Sequence, residues 1–196
     1  MNFKTKNKVV IGLTGGMLSG KSTALAYFKE CGAYVLSCDE LVRQVSASAS
    51  VKSKINHLLG GSDKEYLSQK IFDDSHARLH LEKIIHPLVF KEVAKRLKQD
   101  KTWCRVVEVP LLFEAHWADY FDLTISVYAP EKELLKRLKG RNIQKTDLLK
   151  RSIAQFPAEK KAAMADICLV NNAGTRELSE KISALYGALR KIYQVK

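Results

Sequence analysis

Residues 9–23 read VVIGLTGGMLSGKST. Five apolar or small residues, Val9 to Leu13, form a run that reads as a strand buried on both faces. Directly after it, Gly15-Gly16-Met17-Leu18-Ser19-Gly20-Lys21-Ser22 fits the spacing G-x-x-x-x-G-K-[ST], and a helical pattern runs from Lys21 to about Lys29 before Cys31-Gly32. Glycines let such a loop curl so that successive N–H groups converge into an anion nest, and the helix start adds its positive end to the same point. In that setting Lys21 reaches the β and γ phosphates of a nucleotide, the Ser22 hydroxyl suits Mg²⁺, and Thr23 adds a further hydroxyl. Typical residue frequencies produce the bare pattern by chance in on the order of 1% of chains this long, so the strand before it and the helix after it make the motif specific.

Outward from this loop the elements alternate. Strands are expected at 34–37, 105–109, 123–128 and 167–170. The last helix shows Leu178, Ile182, Leu185, Leu189 and Ile192 at helical spacing, with Thr175 as its N-cap. Strands separated by helices predict an α/β fold, a three-layer α/β/α arrangement on a parallel sheet. Between residues 40 and 103 no strand is convincing, and Ile84, Ile85, Leu88, Val89, Val93 and Leu97 imply helices, broken at His86-Pro87 because proline cannot continue the preceding helix. This stretch is a candidate substrate-binding insertion in a single domain. The SASAS run at 46–50 reads as a helix start or loop.

The chain has 196 residues, 46% of them hydrophobic, which suits one compact domain with an ordinary core. The longest charge-free run, Val9 to Gly20, is too short to span a bilayer, and MNFKTKNK at the start lacks the apolar segment of a secretory signal. A cytoplasmic location is expected. Four cysteines are scattered without a CxxC pair, which argues against zinc and for reduced thiols in or near the core. The net charge of +12 favours polyanionic partners without choosing among nucleic acid, membrane surface and phosphorylated small molecules.

A phosphate loop alone does not separate kinases from other nucleotide hydrolases. A kinase also needs a group to orient or deprotonate the acceptor hydroxyl, and a cation for the moving phosphoryl group. Asp39 follows the second strand and so belongs at the carboxyl edge of a doubly wound sheet. It is either a catalytic acid-base group or the N-cap of a helix starting at Glu40. Glu108 ends a buried strand and either holds the magnesium water shell or faces solvent. Residues 136–151, KRLKGRNIQKTDLLKR, either form a lid that brings Arg137 or Arg141 to the phosphates or are a solvated helix face.

Taken together, IGLTGGMLSGKST (11–23), CDELVRQV (38–45), IIHPLVF (84–90), VEVPLLFE (107–114) and ADICLVNNAG (165–174) resemble the dephospho-coenzyme A kinase family, nearly end to end. That family phosphorylates the ribose 3′-hydroxyl of dephospho-CoA with ATP and magnesium. The resemblance implies that Asp39 acts on the 3′-hydroxyl and that Arg43, one helical turn later, binds acceptor phosphate. It further implies that His86 and Pro87 lie in the acceptor-binding helical region, and Pro110, Leu111, Leu112 and Glu114 beside the acceptor. Arg141 would fall in a lid at about 139–157, and Asn171 and Asn172 near the adenine. Three departures stand out. Ser37-Cys38-Asp39 replaces Asp-Ala-Asp, Asn142 replaces an acidic residue, and Leu18 replaces a glycine, which strains the loop only if Leu18 takes positive φ. The expected partner is the small anionic acceptor, with no nucleic acid or membrane, and a monomer is expected. Another small P-loop kinase, acting on a nucleoside monophosphate or sugar acid, is the competing enzyme reading. A nucleic-acid-binding ATPase is the competing reading of another class.

Overall fold

The computed structural model describes residues 3–4, 8–139 and 155–193. Five parallel strands form one sheet: β1 (Val9–Gly15), β2 (Tyr34–Ser37), β3 (Cys104–Glu108), β4 (Leu123–Tyr128) and β5 (Ile167–Val170). Their order is β2-β3-β1-β4-β5. β1 is therefore central, with Val9 beside Cys104 and Ile11 beside Leu123. It is buried along its whole length, as its unbroken apolar run predicts. The chain leaves β1 toward one edge and returns across it to reach β4, so the carboxyl end of β1 is a topological switch point, where open α/β sheets bind ligands.

Two compact units divide the chain, one comprising residues 1–37 with 99–196 and the other residues 38–98. In the first, α1 (Lys21–Glu30) and the last helix, here α8 (Thr175–Ile192), pack together over the sheet. Ala24, Leu25 and Phe28 of α1 and Leu178, Ile182 and Leu189 of α8 join strand residues Ile11, Leu13, Val106 and Ile125 in one core. α6 (Glu131–Lys139) follows β4, and α7 (Ala158–Met164) packs against β1, β4 and β5. Two aspartates fix strand starts. Asp122 accepts from Val10 N–H at 2.9 Å, and Asp166 accepts from the Thr124 N–H and hydroxyl at 2.7 and 2.6 Å. These hydrogen bonds hold the Asp166 carboxyl below the usual carboxylate range.

The second unit is helical: α2 (Cys38–Ser46), α3 (Ala49–Leu59), α4 (Lys64–Asp73) and α5 (Ser75–Gln99). Asp63 caps α4 by accepting from Tyr66 N–H, and Asp74 accepts from the N–H groups of His76 and Ala77 at the start of α5. The SASAS run closes α2 at Ser46 and opens α3 at Ala49.

Three local expectations are corrected. α5 does not break at His86-Pro87 but runs through it as a single 25-residue helix. An interior proline costs about 3 kcal/mol. Ile85, Val89, Val93 and Leu97 are buried at intervals of four on that helix, and each contributes about 1.5–3 kcal/mol, so the buried stripe outweighs the lost hydrogen bond. Thr175 is the first helical residue of α8, and Gly174, at φ 95°, occupies the cap. Cys168 is exposed on edge strand β5, whereas Cys38 and Cys104 are buried and Cys31 is half-buried. Burial pushes the Cys104 thiol up to about 12, which leaves it protonated and unreactive.

Candidate active site

The loop between β1 and α1 is built against neighbouring backbone. Gly15 pairs with Val127 of β4, and a side chain there would run into the Val127 carbonyl and the Ser19 hydroxyl. Gly20, the cap of α1, sits at φ 106° with its α-carbon against the Asn171 amide. Only glycine satisfies both demands at that point. Ser19 is 1% exposed, and its N–H lies 3.3 Å from the Gly16 carbonyl across the loop. The Lys21 ammonium donates to the Gly15 and Gly16 carbonyls at 3.1 and 2.9 Å, so its charge is held at the loop. Ser22 is exposed and Thr23 half-buried in the first turn of α1.

Leu18 does take positive φ, at 59°. The departure from glycine therefore places a branched side chain in left-handed backbone, which costs about 1–2 kcal/mol. Against this, glycine gives the unfolded chain more freedom to lose, worth about 0.4–1 kcal/mol. We expect Leu18→Gly to be more stable than Leu18→Ala by about 1 kcal/mol in thermal or urea unfolding. Equal stabilities would mean that residue 18 does not keep this backbone once the leucine is removed.

Arg137 and Asn171 also belong to the loop. Arg137 Nη1 donates to the carbonyls of Leu18 and Ser19, both at 2.9 Å, and Nη2 donates to the Asn171 carbonyl at 2.9 Å. The Asn171 side-chain amide adds a bond of 2.8 Å to the Ser19 carbonyl. Of the two asparagines, Asn171 is buried and Asn172 is exposed. Arg141, Asn142 and most of the expected lid lie outside the described residues.

Glu108 is 4% exposed, which replaces the solvent-facing alternative with a buried carboxylate. It lies beside Leu13 of β1 and Ser37 of β2 in the strand register. Beyond it, Pro110 and Leu111 are half-buried and Leu112 is buried. The Pro110 carbonyl accepts from Lys161, which sequence reading missed because a lysine in KKAAMAD looks like part of a solvated face. Lys161 is fully buried and paired with Glu114 at 3.0 Å. The same Glu114 oxygen accepts from Phe156 N–H at 2.7 Å, while its second oxygen is buried without a partner among the described residues. Burial, more than the opposing pull of Glu114, sets the direction in which the Lys161 pKa moves, which is downward.

In the helical unit, α2 begins at Cys38, so Asp39 lies inside the first turn and is not the cap of a helix starting at Glu40. Asp39 and Arg43 are both exposed and four residues apart, hence on one side of α2. His86 is half-buried and Pro87 exposed within α5. Burial lowers the His86 pKa, with Glu82 opposing, so the imidazole is neutral at pH 7.

Known proteins share this chain's sequence pattern and fold. The family profile described as dephospho-CoA kinase matches residues 9–177, most of the chain. The chain belongs to the dephospho-CoA kinase family. A dephospho-CoA kinase of Protochlamydia amoebophila is 32% identical over 93% of this chain and 97% of that protein. The crystal structure of TT1252 from Thermus thermophilus superposes with a TM-score of 0.81 at 30% identity, covering 95% of this chain and 98% of the other. A dephospho-CoA kinase from Campylobacter jejuni shares the fold, with a TM-score of 0.61 at 18% identity over 93% and 98% of the two chains. As a member of the dephospho-CoA kinase family the chain is a kinase that uses ATP, with a small-molecule acceptor. None of its described helices is long and apolar enough to cross a membrane.

Proposed function

We propose that this chain transfers the γ-phosphoryl group of ATP to the ribose 3′-hydroxyl of dephospho-CoA, giving coenzyme A and ADP. The observation that carries the acceptor is the family match over residues 9–177, and the Gly15–Ser22 loop at the carboxyl end of the central strand, with the Lys21 ammonium held at it, supports the nucleotide. Its amides bind the phosphates, and Lys21 neutralises charge on the β and γ groups. Asp39 takes or orients the proton of the acceptor hydroxyl, and Arg43 binds acceptor phosphate. His86, Pro87, Pro110, Leu111 and Glu114 shape the acceptor side, Asn172 the nucleotide side, and Arg141 adds a second cation.

Magnesium is the accompanying ion in this reading, and the donor set fits it. Mg²⁺ keeps most of its water and uses one or two protein oxygens together with substrate phosphates. Ser22 offers an exposed hydroxyl at the start of α1, and Glu108 a carboxylate at the end of β3. Bound there, the ion would screen charge between the phosphates. No cluster of three or more His, Cys, Asp or Glu lies among the described residues.

Four unbridged cysteines suit a reducing, cytoplasmic compartment, and the +12 charge suits two anionic substrates acting on a monomer. The test is incubation with ATP, Mg²⁺ and dephospho-CoA, with the products read by mass spectrometry. Coenzyme A and equimolar ADP are expected. ATP turnover with another hydroxyl acceptor and none with dephospho-CoA would overturn the assignment.

A further inference from the structure

Two side chains from outside the phosphate loop grip its backbone. Arg137 of α6 holds the Leu18 and Ser19 carbonyls, and Asn171, immediately after β5, holds the Ser19 carbonyl as well. The second amino group of the guanidinium, Nη2, donates to the Asn171 carbonyl, which ties the two grips together. A guanidinium is a rigid planar fork, so one residue fixes several acceptors in a set geometry.

The peptide group is planar and trans, so a carbonyl drawn to one side sends the next residue's N–H to the other. Holding the carbonyls of Leu18 and Ser19 therefore turns the N–H groups of Ser19 and Gly20 the opposite way. The Ser19 N–H does turn away from that grip and into the loop, where it donates to the Gly16 carbonyl at 3.3 Å, a long bond that a phosphate oxygen would have to replace. Those are the groups an anion nest needs.

The grip falls on the residue that needs it. Leu18, at φ 59°, occupies backbone that an ordinary L-residue disfavours by roughly tenfold or more, whereas glycine takes it freely. We propose that Arg137 is a positioning residue for the nucleotide: with Asn171 as a brace, it holds Leu18 in its left-handed state and so keeps the loop amides aimed inward. The inference rests on the reading of this loop as the nucleotide site.

Calorimetric titration of ATP-Mg²⁺ into four proteins tests it: the unchanged chain, Arg137→Met, Leu18→Gly and the double variant. Arg137→Met is expected to weaken ATP binding on the order of 10–100-fold, the scale of hydrogen bonds from a charged group. Its KM for ATP should rise in step, with the KM for dephospho-CoA unmoved. In the Leu18→Gly background the same substitution should cost about tenfold less, since residue 18 then holds its backbone unaided. Equal losses in both backgrounds would overturn the proposal, because an arginine that contacted the nucleotide directly, or merely supported folding, would cost the same in each. Should Arg137→Met fail to fold, Arg137→Lys keeps the charge and loses the fork, and the same comparison between backgrounds decides. An unchanged protein that binds no ATP would instead overturn the underlying reading of the loop, and the proposal with it.

Discussion

Asp39→Asn is expected to lower turnover by about 10²–10⁴, the range for removing a positioned general base. Asparagine keeps the shape and one acceptor oxygen but cannot take a proton at neutral pH. Because Asp39 is exposed in the first turn of α2, and its reading as a helix cap has fallen, little folding stability depends on it. The loss should therefore appear in kcat, measured by coupled ADP release, with the melting temperature and ATP affinity held. Turnover within a few-fold of the original would remove Asp39 from the chemistry and leave it as a residue that complements the helix dipole.

The second large effect concerns stability. Lys161→Met should destabilise the fold by about 3–5 kcal/mol, because it strands the Glu114 carboxylate in a nearly buried position and leaves the Pro110 carbonyl with only the long bond from the Thr14 hydroxyl among the described residues. Against a total of about 5–15 kcal/mol this is severe, and for a chain of this size it lowers the melting temperature by roughly 6–20 °C. Adding Glu114→Gln should recover most of the loss. The amide oxygen can still accept from Phe156 N–H, and no lone charge remains. A double variant no more stable than Lys161→Met would show that the charge was never the cost. The pH dependence has a definite sign. Burial lowers the folded-state pKa of Lys161, so the folded chain releases this proton before the unfolded chain does. Its contribution to stability therefore rises with pH between that lowered value and the ordinary lysine value of about 10.4.

Local grammar made the phosphate loop legible. The apolar run, the glycine spacing and the Lys-Ser pair are all contiguous, and the structure places β1 and α1 on either side of them. The other four strands were legible for the same reason, as short apolar runs bounded by helices. Strand order was not, since nothing in residues 34–37 or 104–108 says that β3 lies between β2 and β1. Pro87 misled because the rule that proline ends helices is local, while the burial of Ile85, Val89, Val93 and Leu97 belongs to packing. Lys161 was hidden for a related reason, and Asn171 was legible only through the family resemblance, as a residue near the adenine. Their partners stand 51 and 152 residues away in the chain, and neither lysine nor asparagine announces burial from its neighbours. Arg137 reads in the sequence as a candidate lid cation for the phosphates or part of a solvated face, whereas its guanidinium contacts the loop backbone 118 and 119 positions earlier.

The connection between β2 and β3 has a consequence for how such an enzyme can diversify. The two strands are hydrogen-bonded neighbours, with Tyr34 beside Arg105 and Ser37 beside Glu108, yet the whole helical unit of residues 38–98 is spliced into the crossover that joins them. A splice of that kind is a cassette. Its length and its contents can change while every rung of the sheet, and the nucleotide loop beyond it, keeps its register. If the helical unit selects the acceptor, a new substrate can be acquired by exchanging one contiguous segment, without renegotiating how ATP is held.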